Sequence, residues 1–340
     1  MTPPILLAVP NVSEGRDVPT IGAIGDALAG AARASDAAEA SSHALSGDGG
    51  RTDGVRLLDV HSDRDHHRSV YTIAGRPGEL ANALLRGAEV AVQRIDVMSR
   101  ALAAGSQQPR EQPPPGQPPP GQHPHVGALD VAPVVYLSAR DRGAACAEAL
   151  VVADRIGSEL GVPVFLYGEL TADPRGVTRG ELRRGGVGGL AARMSGRGDS
   201  QVRLSPDFGP ARMHPTAGAT LVAAREPLVA FNLRLSPPAT VEDAGAIAAR
   251  IREGGAEGLP GVRAIGIALS EGAGQVSMNI ERPLELPLAR VIEAVRAHAG
   301  VASAELVGLT PRAALAGFPE DVQLLGFDPA RHVIENALGS

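Results

Sequence analysis

The sequence has one cysteine, Cys146, no tryptophan, no lysine, and an aromatic fraction of only 2 %. Each shortage removes possibilities. A single cysteine allows neither an intramolecular disulfide framework nor a Cys-rich zinc cluster. All 32 basic residues are arginine, which excludes a Schiff-base lysine, a pyridoxal-phosphate lysine and the lysine of a phosphate-binding P-loop. So few rings leave little to stack on bases, and a net charge of −6 offers no general attraction for a phosphate backbone. Nucleic acid is not an expected partner. Long apolar runs are missing too: no stretch approaches the roughly 18–20 uncharged residues of a membrane span. The N-terminal "MTPPILLAVPNVSEG" has no basic segment ahead of its short apolar run, as a signal peptide would. The expectation is a soluble, cytoplasmic protein with no membrane partner.

What is present suffices for real cores. The chain has 340 residues, 44 % of them hydrophobic, so it can form two domains or one large one built from Ala, Val, Leu and Ile. Two halves show the same order of elements. In the first, "ILLAVP" (5–10) reads as a strand and 18–33 as a helix with Val18, Ile21, Ile24 and Leu28 on one face. Strands follow at 55–62 and 68–75, then a helix opened by Pro77, then a strand at 131–137. In the second, 226–236 is a strand and Thr240 caps a helix running to Arg252. Strands 262–269 and 274–280 form a hairpin, and a helix at 287–299 leads to a strand at 303–309.

Each half is thus β-α-β-β-α-β, the split β-α-β (ferredoxin-like) pattern. The expected fold is α/β in the α+β sense. Two sandwich subdomains, 1–224 and 225–340, would each carry helices on one face of a sheet, with a ligand cleft between the sheets. Between the halves lie a helix at 143–160, a strand at 162–168 and an Arg/Gly-rich stretch, 175–200. Residues 109–122 are Pro, Gln and Gly apart from Arg110 and Glu111, and read as a polyproline-type or disordered surface loop.

Four stretches could carry chemistry. "HSDRDHH" (61–67) has the donor types of a zinc or manganese site, but it falls at a hairpin apex, where solvated polar residues are ordinary. "GGVGGLA" (185–191) contains G-x-G-x-x-A, yet a helix-like stretch precedes it where dinucleotide binding requires a strand. In "HPH" (123–125) Pro124 holds His123 extended, presenting an imidazole beside a buried strand. That residue could be a proton-transfer base, a metal ligand or part of a plain turn. "PDFGPARMHPTAGAT" (206–220) is a Gly/Pro/His/Thr loop whose glycines would let backbone approach a flat ligand, or which simply connects domains.

Taken together, the chain resembles the glutamate formimidoyltransferase family, the formiminotransferase part of formiminotransferase-cyclodeaminase. The stretches that carry the resemblance are "VPNVSEGR" (9–16), "LLDVHSD" (57–63), "RSVYT" (68–72), "HPHVGALDV" (123–131), "PVFLYGE" (163–169), "PDFGP" (206–210), "GATLVAAREPLVAFN" (218–232), "QVSMNI" (275–280) and "ELVGLTP" (305–311). They stand in family order across nearly the whole chain, and no cyclodeaminase segment follows them, as in a stand-alone transferase.

The resemblance implies movement of a formimino group between N-formimino-L-glutamate and tetrahydrofolate, the co-substrate, in histidine degradation. It places the catalytic base at His123. It places folate on the loop Gly209, Pro210, Ala211, Arg212, Met213, His214, Pro215, Thr216, Ala217 and Gly218. Substrate binding falls to Asn11, Glu14, His61, His67, Arg68, His125 and Asp130. No resident metal is implied, the partners are the small-molecule substrates folate and glutamate, and the assembly is a homodimer.

Four positions depart from the family pattern. "HPR" reads "HPH" with His125, "HNR" reads "HHR" with His67, and "AFNVNL" reads "AFNLRL" with Arg234. The short turn before His123 is replaced by the proline tract. Two other readings therefore stay open: a folate- or carboxylate-binding relative with altered activity, and a metal-dependent hydrolase using His61, Asp63, His66 and His123.

Overall fold

The computed structural model describes residues 3–30, 54–106, 125–171, 177–197, 203–270 and 272–339. His123 and the proline tract lie outside the described residues. The chain divides into two compact units, Met1–Arg225 and Glu226–Ser340.

In the first unit, β1 (Leu6–Ala8) and β2 (Asn11–Val12) are two pieces of one strand line, followed by α1 (Val18–Ala29). A hairpin of β3 (Arg56–Asp63) and β4 (Arg68–Gly75) leads to α2 (Glu79–Arg94) and α3 (Val97–Ser106). Next come β5 (Leu129–Val135), α4 (Arg142–Glu159), β6 (Val164–Leu166), α5 (Arg179–Arg183), α6 (Gly186–Met194) and β7 (Thr220–Arg225). β4 pairs with β3 and with the β1/β2 line, and that line pairs with β5, all antiparallel. This is the expected split β-α-β order. β7 and β6 then extend the sheet, each pair parallel from β5 outward.

That extension changes the layering. Ile24 and Leu28 of α1, Leu80 and Leu84 of α2, and Val152 and Ile156 of α4 pack on one sheet face with Leu6, Tyr71, Ile73 and Val134. The opposite face is also apolar at the β5–β7–β6 end, where Val131, Phe165, Tyr167, Leu221 and Ala223 point outward. Leu182 of α5 with Leu190 and Met194 of α6 cover it. The expectation of helices on one face only therefore fails at this end, because parallel strands are apolar on both sides and need two covers. The "GGVGGLA" glycines open α6 directly after a helix, so the strand–glycine–helix order of a dinucleotide site is absent.

The second unit holds β8 (Val229–Leu235), α7 (Val241–Ile251), β9 (Val262–Ala268), β10 (Gly274–Ile280), α8 (Leu288–Arg296), β11 (Val301–Val307), β12 (Leu324–Leu325), α9 (Pro329–His332) and α10 (Ile334–Ala337). Its strand order is β12-β11-β8-β10-β9, the same split β-α-β core with one short parallel edge strand. Ile247 and Ile251 of α7 with Val291 and Val295 of α8 share one core with Phe231, Leu233, Val276 and Met278. Thr240 opens α7 with a capping box to Asp243, as its sequence position suggests. No helix among the described residues is long and apolar enough to cross a membrane.

Candidate active site

The chain leaves β2 through a tight turn, Ser13–Asp17. Gly15 is obligatory there: a Cβ would lie 2.1 Å from the Asp63 carbonyl oxygen and 2.6 Å from the Arg68 nitrogen. The close approach stitches three segments together. Ser13 donates its backbone N–H to the Ala128 carbonyl (2.9 Å) and its hydroxyl to the Gly127 carbonyl (2.7 Å). The Ser69 hydroxyl donates to the Glu14 carbonyl at 2.6 Å.

Glu14 is buried in the middle of this junction. Its Oε1 accepts the backbone N–H groups of Arg16 (2.9 Å) and Asp17 (3.1 Å), just ahead of α1. Its Oε2 accepts Arg100 Nη2 at 2.7 Å. Burial pushes the carboxyl up, but the Arg100 bond and the two amides outweigh it and hold the group below its usual range. Arg100, on α3, also donates from Nη1 to the Ser13 carbonyl (2.9 Å) and lies 3.0 Å from His67 Nε2.

His67 sits between donors. Besides Arg100 on Nε2, the Gly15 N–H lies 3.2 Å from Nδ1. Its backbone is left-handed, with φ 50, a region that Asn, Asp and His tolerate better than other side chains. Burial drives its pKa down to about 4; Glu14 opposes this, and Arg100, Arg16 and His125 add to it. The ring is neutral near pH 7. His125 is among the groups that act on His67, so these two histidines share one neighbourhood.

The rest of "HSDRDHH" builds the hairpin turn. Asp63 Oδ1 accepts the N–H groups of Asp65 (2.8 Å) and His66 (2.9 Å), and Oδ2 bonds His66 Nδ1. Burial raises the Asp63 carboxyl, yet His66 and then Arg68 bring it to about 2. The turn therefore occupies two of the four residues that a metal-hydrolase reading requires. His61 lies within β3, opposite Val70.

Asp130 is buried and fully engaged. Its Oδ1 accepts the Val126 N–H at 2.8 Å and its Oδ2 bonds Arg183 Nη2, so it closes the 126–130 turn and ties it to α5. Arg68 lies close by. Its own burial first, then the positive charge of Arg183, lower its pKa to about 10, while Asp63 and Asp130 oppose the shift.

The loop 206–218 does two jobs. At its start, Asp207 Oδ2 accepts the Leu166 N–H at 2.7 Å. Gly209, φ 79, packs on α4, where a Cβ would come 2.7 Å from the Val162 carbonyl oxygen and 3.0 Å from Gly157 Cα. At its end, His214 Nδ1 accepts the Ala217 N–H at 3.0 Å, and burial lowers its pKa. Thr216 gives its carbonyl to the N–H groups of Val97 (3.0 Å) and Met98 (3.2 Å), anchoring α3. Gly218, φ 74, lies against Val126 and Gly127, with room for no Cβ. Space at these two glycines is taken by the chain's own backbone, so the fold requires them whatever the loop binds. Between the two ends, Ala211 and Arg212 are exposed, and with Met213 they line a cavity of about 500 Å³ with Arg197, Arg203 and Met194.

Of the residues proposed from sequence, Glu14, His67, Arg68, His125 and Asp130 gather with Thr216–Gly218 around the Gly15 turn. Asn11 stays at its foot in β2, its amide on the Val9 carbonyl at 3.3 Å. Gly209 and Pro210 belong to the α4 end of the loop. Arg100 and Arg183 pair with the buried carboxylates Glu14 and Asp130, and no motif marked them. Only Asp96, whose carboxylate accepts the Ser99 N–H (2.9 Å) and hydroxyl (2.8 Å), hints in sequence that a helix start presents Arg100.

The fold and this junction define a two-unit α+β protein whose polar residues are held by turns between strands. Residues 5–103 and 118–225 match the formiminotransferase domain, N-terminal subdomain. Among similar proteins, the glutamate formimidoyltransferase of Streptococcus pyogenes serotype M1 is 32 % identical over 292 residues, covering 84 % of this chain and 89 % of the relative. That of Thermoplasma acidophilum is 30 % identical over 327 residues, covering 94 % and 93 %. The formimidoyltransferase-cyclodeaminase of Sus scrofa is 34 % identical over 350 residues, covering 97 % of this chain and 56 % of the relative. The chain belongs to the formiminotransferase family. It spans about half the length of the bifunctional relatives that it matches.

Proposed function

We propose that this protein is a folate-dependent glutamate formimidoyltransferase. It moves the formimino group of N-formimino-L-glutamate to tetrahydrofolate, giving 5-formiminotetrahydrofolate and L-glutamate, the step that histidine degradation requires. The observation that carries this reading is the bonded junction of 13–15, 66–69, 126–130 and 214–218, which joins the family-matched segments in one place. In the reaction N5 of tetrahydrofolate bonds to the formimino carbon and loses its proton. The carbon–nitrogen bond to glutamate then breaks, and the leaving amine takes a proton. His123 accepts the first and returns the second, so one imidazole serves both directions. Asp130 and Arg183 fix the turn that follows His125, and Glu14 and Arg100 fix the Gly15 turn beside it.

Both substrates are carboxylates, for which guanidinium forks such as Arg68 and Arg212 are suited. The partners on this reading are small molecules alone, the assembly a homodimer and the location the cytoplasm. A coupled assay tests it: formiminoglutamate should disappear only when tetrahydrofolate is present. Folate binding without turnover would favour the second reading, a folate- or carboxylate-binding relative. His67 and His125, where the family has Asn and Arg, are the observation behind that alternative, and His125→Arg would then raise activity. Turnover that follows added zinc or manganese and ignores folate would instead identify a hydrolase.

A further inference from the structure

The cavity of about 500 Å³ between the end of α6 and the middle of the loop 206–218 has arginine as its only charged lining among the described residues. Met194, the last residue of α6, is buried on one side of it, and half-buried Met213 belongs to the loop. Arg203 ties the two sides together. Its Nε donates to the Met194 carbonyl at 2.6 Å and its Nη2 to the Ala211 carbonyl at 3.4 Å. That guanidinium caps the last turn of α6, where a cation meets the negative end of the helix dipole.

Arg197 and Arg212 differ from it. Both are exposed and line the same cavity, and neither side chain makes a hydrogen bond or ion pair with the described residues. Three guanidiniums around one space with no carboxylate between them repel one another, an arrangement that an anion relieves. The rest of the lining is apolar, and methionine thioethers favour contact with an aromatic ring. The volume falls within the range of small-molecule sites. Position adds a further observation. α6 starts beside the 123–125 motif, since a Cβ on Gly186 would lie 3.6 Å from the His125 carbonyl oxygen. From Gly186 to Met194 the helix then rises about 12 Å.

We propose that this cavity binds an aromatic dicarboxylate, its ring against Met194 and Met213 and its carboxylates on Arg197 and Arg212. A guanidinium fork matches the two oxygens of a carboxylate, and Arg203 holds the two walls at the spacing the ligand needs. Two sources carry this chemistry: the aminobenzoyl-glutamate end of tetrahydrofolate, and a free aromatic acid. The rise of α6 favours the first, because it is comparable to the span from N5 of tetrahydrofolate to its glutamate end. That choice of source rests on the transferase reading above, whereas the site itself does not. Arg197 and Arg203 lie outside every stretch that carries the family resemblance, so no motif marks this site.

Titration of the full chain with para-aminobenzoyl-L-glutamate and with its uncharged diamide tests the site. The wild type should prefer the acid by roughly ten-fold or more, and added salt should narrow that gap because the arginines are exposed. Combining Arg197→Gln with Arg212→Gln should remove the preference while the melting temperature holds. Equal binding of acid and diamide by the wild type, or an undiminished preference in the folded double variant, would overturn the site. Competition separates the sources. If tetrahydrofolate displaces the acid, and the double variant raises KM for tetrahydrofolate alone, the occupant is the far end of the co-substrate. If tetrahydrofolate and the acid bind together, the site takes a free aromatic acid. The transfer assay separates the site from the activity. A chain that prefers the acid but transfers nothing keeps the site and loses the transferase reading. A chain that transfers, and whose double variant binds the acid as tightly as wild type, keeps the reading and loses the site.

Discussion

The two units share a topology and divide the work differently. In the first, polar chemistry sits in turns: the 13–17 turn, the hairpin apex and the 126–130 turn, tied together over sequence separations such as the 86 residues between Glu14 and Arg100. In the second, it sits on the strands, where register alone aligns Arg234, Gln275 and Ser303. Turns can place a group at a point and aim it, while a strand row offers an even surface. The first suits proton transfer, while the second holds its polar groups in fixed register.

That contrast breaks most readily at His123. If the turns do the chemistry, His123→Ala should lower turnover by roughly 10²–10⁴-fold with KM for folate little changed. Full activity of His123→Ala with both substrates saturating would remove the proposed base.

The next largest effect concerns Asp130 and Arg183, the buried pair behind the 126–130 turn. Removing one partner leaves a buried charge alone, which costs about 3–5 kcal/mol. Asp130→Asn or Arg183→Met should show that loss in denaturant titration, and the double variant should recover much of it. Equal losses in single and double variants would mean that packing around the pair matters more than its charges.

How far was this legible beforehand? The strand and helix order of both halves was, because apolar periodicity is local. So was the 126–130 motif, through its likeness to a family. Asp130 was expected to bind substrate, but both its oxygens are engaged within the protein, by partners 4 and 53 residues away. Distance in sequence hides such partners. Arg183 stands in an Arg/Gly-rich stretch with nothing to single it out, and the second cover over the first sheet was hidden there too.

His67 sharpens the comparison through pH. Its pKa is about 4 when folded against 6.5 ordinarily, because burial opposes the charge. Below pH 6.5 the unfolded chain takes up a proton that the folded one refuses. Stability should therefore fall as pH drops from about 6.5 to 4, by on the order of 3 kcal/mol, and this contribution should level off below 4. Asp63 acts lower, losing its contribution only between 3.8 and about 2. His214, also depressed, has the same sign as His67. His67→Asn, which suits the left-handed backbone, should flatten most of the slope above pH 4. An unchanged slope would place the proton uptake elsewhere.

Helix starts give the same lesson at smaller scale. α7 is capped by its neighbour Thr240, and the sequence shows it. α2 is capped from 70 residues away: buried Glu148 of α4 accepts the Gly78 N–H at 2.8 Å and the Ala81 N–H at 2.7 Å. Thr240→Ala should cost about 1 kcal/mol. Glu148→Gln should cost about 2 kcal/mol, since charge-assisted bonds in a buried setting are the stronger kind. If Thr240→Ala proves the costlier, the distant cap adds little to the first unit.

The smallest effect is expected at the proline tract. Residues 109–122 contain Pro, Gln, Gly, one Arg and one Glu, with no side chain that would enter a core. The family match breaks between 103 and 118, so most of the tract has no counterpart in the family domain. A composition of this kind adds loop length, and loop length costs little once the ends are held: doubling it costs only about 0.6 kcal/mol. The ends here are anchored independently, by the Thr216 carbonyl on the first residues of α3 and by Asp130 on the Val126 N–H. Deleting 109–120 while keeping Gly121, Gln122 and His123 should therefore leave the melting temperature within a degree or two of wild type. Turnover is the more sensitive readout, because the deletion shortens the tether that leads into His123. Unchanged melting with reduced turnover would mean that the tract sets the position of the base, and a drop of many degrees would mean that it packs against the first unit.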